Sequence, residues 1–350
     1  MKKIVKILLI IVAIPLVLVG ILLAYTSIVD YKPEPIENLY KSQKADILND
    51  TLEYKLMIWN LGYCSLSADM DFFYDGGANV RNSEENTKRN LEAVKTFLLK
   101  YPDMDFFLLQ EVDKHSKRSY GMNEFDEISQ TLKEYKPFFA VNYDVDFVPQ
   151  PLTEPMGGVL SGVATFSKFE PIISDRYAFP GSFSFPVGLF MLDRCFMVNR
   201  YKLQTGKELL IINTHNSAYD DGTLRKGEME YLNKFLLEEY AKGNYVLVGG
   251  DWNQSPPNFK PEFDGEVFDS EDFMKIEENY LPKEWNWVYS ANIPTNRRVK
   301  KPYKKGETAT TVIDFFLLSP NIEKVETSNV DLNFQNSDHQ PVLLKIKLKK

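Results

Sequence analysis

The chain is 350 residues long, 44% hydrophobic, 13% aromatic and 26% charged, the profile of a globular protein with a sizeable core, which excludes collagen-like, low-complexity and disordered classes. Formal net charge is −8; residues 1–24 hold three lysines and no acid, so the remainder carries 38 basic against 49 acidic side chains, a balance of −11. That balance works against any partner held mainly through a phosphate backbone, since such binding draws on Lys and Arg neutralising phosphates, and two cysteines, Cys64 and Cys195, imply no disulfide framework.

The N-terminus comes first in chain order. After Lys2, Lys3 and Lys6, residues 7–25 form an apolar run of nineteen residues, about 28 Å as a helix, close to the thickness of a bilayer's hydrocarbon core. The run ends Gly20-Ile-Leu-Leu-Ala-Tyr25 with no small-residue cleavage site. Lysines precede it and none follows before Lys32, which favours a cytoplasmic N-terminus. Residues 1–27 are therefore expected to be a short cytoplasmic stub and a signal anchor, with a cleaved signal as the alternative. The expected location is the cell membrane, single-pass, with the rest of the chain outside. Residues 28–50, with Pro33 and Pro35, are expected to be a linker, and 51–350 the catalytic domain.

From Tyr54 onward strand-like and helix-like segments alternate without a domain break. Runs rich in Val, Ile, Phe and Leu at 54–60, 105–111, 162–169, 189–200, 208–215, 244–251, 312–319 and 341–348 predict buried strands. Helices are predicted over 83–101 and 223–243; in the second, Met229, Leu232, Leu236 and Tyr240 share one face and Gly243 supplies the stop.

Polar residues sit at the ends of these strands. Asn60 follows Leu56-Met-Ile-Trp; Gln110-Glu111 follows Phe106-Phe-Leu-Leu; His215 follows Leu210-Ile-Ile-Asn-Thr; Asp251 and Asn253 follow Val246-Leu-Val-Gly-Gly; Asp314 lies inside the 312–319 run. Ser337-Asp338-His339 immediately precedes the last strand. One such residue alone is usually a turn or cap. Carboxylates, amides and two of the three histidines recurring at strand ends are what an oxygen-seeking divalent cation and a phosphoryl group require.

The ordered set Trp59-Asn60-Leu61, Leu109-Gln110-Glu111-Val112-Asp113, Asn213-Thr214-His215, Gly249-Gly250-Asp251-Trp252-Asn253, Ile313-Asp314-Phe315 and Ser337-Asp338-His339-Gln340-Pro341 closely resembles the endonuclease/exonuclease/phosphatase superfamily, which includes deoxyribonuclease I and neutral sphingomyelinases. The resemblance implies a four-layer α/β sandwich of two packed mixed β-sheets flanked by helices, here preceded by one transmembrane helix. It implies a Mg²⁺ site, with Mn²⁺ as a substitute, at Glu111, Asn60 and Asp338. It implies that Asp251 and Asn253 orient the attacking water and hold the phosphate or a second metal, that His339 pairs with Asp314, and that His215 donates to a phosphoryl oxygen or the leaving group. The expected reaction is metal-assisted attack of water on phosphorus.

Arg297, Arg298, Lys300, Lys301, Lys304 and Lys305 place six cations in nine residues; Arg297 and Arg298, with Arg118, are candidates to grip a substrate phosphate. Asp193-Arg194 is read as an internal ion pair, His115 as a loop residue without a chemical role, Trp252 as packing, and Tyr63 with 69–77 as a loop shaping the pocket. In a −11 domain tethered to a bilayer, a compact or lipid-headgroup phosphoester is the preferred substrate, with extracellular nucleic acid the runner-up, as substrate only. A non-catalytic binding ectodomain is the reading from another class. No obligate protein partner is indicated.

Overall fold

The computed structural model describes residues 2–218, 220, 222–267 and 275–349. Helix α1 (Lys2–Val29) leads into two short strands, β1 (Ile36–Lys41) and β2 (Ile47–Leu48). Then follow β3 (Glu53–Asn60), α2 (Glu84–Leu98), β4 (Phe106–Asp113), α3 (Glu124–Thr131), β5 (Lys136–Val148) and β6 (Gly157–Ser167). The second half comprises β7 (Ile173–Ala178), β8 (Cys195–Leu203), β9 (Glu208–His215), α4 (Thr223–Ala241) and β10 (Tyr245–Asp251). It closes with β11 (Asn286–Val288), β12 (Asn296–Arg297), β13 (Thr310–Thr311), β14 (Asp314–Leu318), β15 (Ile322–Asn329) and β16 (Val342–Leu348).

Two mixed sheets result, ordered β15-β16-β3-β4-β6-β5 and β1-β7-β8-β9-β10-β14-β11, with β2 pairing β8. Each is built around one parallel pair, β3 with β4 and β9 with β10. A parallel pair needs a crossover between its strands, and α2 and α4 are those crossovers. Each turns an apolar stripe onto its sheet: Leu91, Val94, Phe97 and Leu98 from α2, and Met229, Leu232 and Leu236 from α4. Between the sheets, Leu56, Ile58, Phe106 and Leu108 meet Leu209, Ile211, Leu247 and Phe316. Helix, sheet, sheet and helix make the four layers expected from the resemblance. The architecture sets one edge apart: β3, β4, β9 and β10 end there, while β14, antiparallel to β10, and β16, antiparallel to β3, begin there.

All eight predicted strands and both predicted helices form, with shifted ends. The 189–200 run starts late, at Cys195, because Val187–Phe190 is a turn of 3₁₀ helix. Strands β1, β5, β7 and β15 and helix α3 have no counterpart among the predicted elements. Of these strands, β1, β5 and β15 are sheet edges; with one side open to water, β1 and β15 carry polar residues in place of a continuous apolar run, whereas β5 does hold an apolar run at 137–141 that is not among the predicted elements. Residues 28–50 are not a free stalk throughout, since Ile36–Lys41 pairs with β7 and Ile47–Leu48 with β8. Helix α1 is exposed along nearly its whole length, and is long and apolar enough to cross a membrane. Cys64 and Cys195 are buried free thiols.

Candidate active site

The gathering of strand ends starts with glycine and a bulge. At Gly250 a Cβ would lie 2.0 Å from the Thr214 carbonyl oxygen, so only glycine lets β10 run alongside β9 into Asp251. In β4, Gln110 and Glu111 together oppose the single residue between Gly162 and Ala164 of β6. Such a bulge re-aims a side chain, and Glu111 adopts φ +52° within it, a left-handed conformation costing about 1–3 kcal/mol that the surrounding pairing must hold. At Gly62 a Cβ would stand 2.6 Å from Asp338 Oδ1. Its absence lets that carboxylate approach the loop after β3.

His339 Nδ1 lies 2.8 Å from Asp314 Oδ2. Its Nε2 faces the Asn296 amide at 3.0 Å, Asp251 Oδ2 at 3.8 Å and Asp338 Oδ2 at 4.0 Å. Trp59 Nε1 donates to the His339 carbonyl at 3.0 Å, and the His339 amide donates to Ser337 Oγ at 3.1 Å. Burial works against charge on this ring, but the carboxylates of Asp314, Asp251 and Asp338 outweigh it and hold the imidazole well above its ordinary value, hence protonated. His215 goes the other way. Burial, reinforced by Arg194, His339 and Arg118, pushes it well below the usual range and keeps it neutral. Its Nε2 stands 3.6 Å from Asp251 Oδ2 and 3.9 Å from Glu111 Oε1, and its Nδ1 has no hydrogen-bond partner among the described residues.

Asp251 is clamped at both oxygens, by Asn60 Nδ2 at 2.9 Å and the Asn253 amide at 2.9 Å. Burial, with Asp314 and against the pull of His339, pushes its carboxyl up to about 6. Burial likewise pushes Asp338 up to about 7, with Glu111 adding to the rise and His339 opposing it. Asn60 departs from its expected part as an oxygen ligand: its amide nitrogen faces the acids, donating to Glu111 Oε1 at 3.3 Å as well as to Asp251, while its oxygen accepts from the Gly62 amide at 2.9 Å. Asn253, at φ +48°, lines the cavity and donates from its side chain to the Asn216 carbonyl at 2.9 Å.

Glu111, His215, Asp251, Asn253, Asn296, Asp338 and His339 line one cavity of about 520 Å³, backed by Asn60 and Asp314, that also takes in Arg118, Arg194, Arg225, Arg297 and Arg298. Three of the arginines are committed elsewhere. Arg118 is held by both oxygens of Asp113, at 2.9 and 3.2 Å, with its guanidinium 3.9 Å above the Tyr63 ring. Arg297 is buried and donates to the carbonyls of Ser67, Leu66 and Met70, tying down the loop after β3. Arg225 pairs with Asp220. The expectation that Arg118 and Arg297 grip a phosphate is therefore corrected: both cations are spent inside the protein. Of the remaining basic run, Lys304 pairs with Glu307, and Lys305 with Asp331 at 3.3 Å. Arg298 is at the cavity wall.

Arg194 reverses its expected role. No ion pair joins it to Asp193 among the described residues. It lines the cavity with Nη1 buried and unpartnered, delivered by its place just before Cys195, the residue opposite His215. In sequence Arg194 reads as half of an ion pair and Asn296 has no place, since it lies in the two-residue strand β12, too short to carry a periodic signal. His115 is exposed and outside the cavity, Trp252 is buried in a stack on Phe315, and Tyr63, Phe72, Tyr74 and Asp75 do shape the pocket.

The chain belongs to the endonuclease/exonuclease/phosphatase family, whose pattern matches residues 57–339. Members of that family are hydrolases of phosphate esters and typically use divalent metals. No curated protein sequence matches the chain. Its fold is similar to that of an endonuclease/exonuclease/phosphatase from Beutenbergia cavernae, at 14% identity and TM-score 0.55, over 85% of this chain and 72% of that one. It is also similar to D. rerio TDP2 complexed with a single-strand DNA product, at 14% identity and TM-score 0.53, over 84% of this chain and 99% of that one. The human Nocturnin catalytic domain with bound sulfate aligns at 15% identity and TM-score 0.53, over 88% of this chain and all of that one, 100%. Asp251, Asp314 and His339 offer ligand atoms within 4.8 Å of one another, but His339 Nδ1 is already bonded to Asp314, which makes those two a pair and leaves Glu111 and Asp338 as the open carboxylates.

Proposed function

We propose that this protein is a membrane-anchored, divalent-cation-dependent phosphoric ester hydrolase that directs water onto phosphorus in a compact or lipid-headgroup ester. The observation that carries the reading is the cavity in which a protonated, carboxylate-backed His339 and a neutral His215 flank Asp251. Glu111 and Asp338 fit a divalent cation such as Mg²⁺ or Mn²⁺: they are hard oxygen donors lining the same cavity, and the Asp338 carboxyl is raised mainly by burial, with the neighbouring Glu111 carboxylate adding to the rise. When bound, the ion supplies Lewis-acid neutralisation at the phosphoryl group.

The chain's own residues do the rest. Asp251, clamped at both oxygens and displaced toward neutrality, is suited to take the proton of the attacking water. Asn60 holds Asp251 and Glu111 in register, a positioning part in place of ligation. His339, held well above its ordinary value by the surrounding carboxylates, presents positive charge toward the oxygens that gain charge in the transition state. His215, being neutral, serves as a hydrogen-bond donor to a phosphoryl oxygen, and Asn253 holds the other side of that group. Arg194 replaces Arg118 and Arg297 as the phosphate-contacting cation, because its Nη1 has no hydrogen-bond partner among the described residues, whereas Arg118 is held by Asp113 and Arg297 by loop carbonyls.

The test is hydrolysis of bis-p-nitrophenyl phosphate by the full-length protein in detergent, with Mg²⁺ or Mn²⁺ and with chelator. Cation-dependent turnover is the expected result, and its absence would favour a non-catalytic binding role. A parallel panel of sphingomyelin, phosphoinositides, plasmid DNA and RNA separates the headgroup reading from the nuclease one.

A further inference from the structure

Of two loops that wall the cavity, the segment 179–194 packs on helix α1 through Val187–Phe190, and the turn after β5 follows the strand on which α1 also packs. The segment 179–194 is closed on itself by Phe179 N donating to the Arg194 carbonyl at 2.9 Å, and Tyr143 Oη of β5 ties it down through the Phe190 carbonyl at 2.8 Å. Its Phe183, Met191 and Leu192 face the cavity, as does Met156 from the turn between β5 and β6. Outward, the same two loops leave Phe185 70%, Val187 50% and Leu152 86% exposed. Large apolar side chains grouped on a loop are costly in water and mark a contact surface.

The position of α1 identifies what they contact. Its last turns pack against β5 and the Val187–Phe190 turn; Thr26 is buried there, and Tyr25 Oη donates to Asp146 Oδ2 at 2.6 Å, one residue from Phe147. A helix apolar all round, with its sides uncovered by protein, belongs in lipid. Tyr25 closes the apolar run, at the level where tyrosines favour the boundary between lipid and water. Residues that pack beside Tyr25 then lie at that same level.

We infer that Phe185, Val187 and Leu152 form a membrane-contact surface, continuous with the end of α1, which rests in the interfacial layer of the bilayer that α1 spans and holds the cavity rim against lipid headgroups. The inference rests on the membrane-anchored reading and deepens it. Helix α1 acts as more than a tether of free length, because its end is docked on the loops that border the site. The enzyme is thereby oriented toward a phosphoester of the bilayer surface, within the roughly 5–10 Å in which apolar side chains enter the headgroup boundary.

Spin labels on the full-length protein in phosphatidylcholine/phosphatidylglycerol vesicles test this, since both native cysteines are buried. Labels are placed through Phe185→Cys and Val187→Cys, with Val12→Cys inside α1 and Thr205→Cys at the far edge of the sheets as references. Oxygen should outpace a water-soluble nickel complex as relaxant at 185 and 187, as at 12, with the reverse at 205. Labels at 185 and 187 that behave like 205 while 12 stays in lipid would overturn the surface and spare the span. Water access at 12 as well would overturn the span and the surface together.

Discussion

Replacing Asp314 by alanine removes the carboxylate that backs His339, and the structure makes the consequence calculable. The Asp314 side chain has one hydrogen-bond contact among the described residues, Oδ2 to His339 Nδ1 at 2.8 Å, while its Oδ1 has none. The one hydrogen bond through which Asp314 bears on turnover is to the imidazole, beside its through-space push on Asp251: it orients the ring and, with Asp251 and Asp338, favours its protonated form against the effect of burial. Loss of a positioned proton donor costs about 10²–10⁴ in kcat, or about 2.7–5.5 kcal/mol at 1.36 kcal/mol per tenfold. Two independent contributors would lose the product, roughly 10⁴–10⁸, whereas groups acting as a unit lose no more together than apart. The expected outcome is that His339→Ala/Asp314→Ala is no slower than His339→Ala alone. The assay is kcat on bis-p-nitrophenyl phosphate at saturating Mg²⁺, with thermal unfolding of each variant to confirm a folded site. Multiplicative losses would refute the coupling and return Asp314 to a purely structural part.

Glu111→Gln keeps the shape of the proposed cation site but removes a charge, so the Mg²⁺ concentration for half-maximal rate should rise and excess Mg²⁺ should restore part of the activity; a titration of rate against Mg²⁺ reads both. His215→Ala should slow alkyl and p-nitrophenyl esters by similar factors, because a neutral imidazole positions phosphate without protonating the leaving group, and a selective loss on alkyl esters would show an acid role. Arg194→Met should raise KM for phosphodiesters about 10- to 100-fold, the worth of a charged hydrogen bond of roughly 1.5–3 kcal/mol, with the unfolding midpoint nearly unchanged. For stability, Glu239→Gln should lower the unfolding midpoint at neutral pH. Burial alone would raise the Glu239 carboxyl, but hydrogen bonds from Arg200 and Lys242 hold it down at about 2. A depressed carboxyl contributes stability that is present above its unfolded value of about 4.5 and lost as pH falls toward 2. The gap between wild type and variant should therefore close over that window.

The recurrence of Asn60, Glu111, His215, Asp251, Asp314 and His339 at the ends of apolar runs is local information, and it was enough to indicate a shared sheet edge. A buried strand is a continuous apolar run, so its end is visible as the place where polarity returns. The same logic fails for the edge strands β1 and β15, where one-sided burial leaves mixed composition. It fails also for Asn296, which reaches His339 from the two-residue strand β12, too short for any periodicity to describe.

Charge is where local reading and folded fact diverge most. A run of six cations in residues 297–305 looked like an anion grip, yet a guanidinium's partners are set by what the fold brings near it. Arg297 spends its donors on the Leu66, Ser67 and Met70 carbonyls more than two hundred residues earlier in the chain, and Arg118 is taken up by Asp113. Arg194, beside an aspartate in sequence, points away from it into the cavity. By itself the sequence determined the elements, their order and the chemistry available at their ends, because backbone preference and hydrophobic period act over a few residues. The tertiary structure alone decided which histidine is charged, which arginine faces the cavity and which loops meet the end of α1, because each depends on burial and on neighbours distant along the chain.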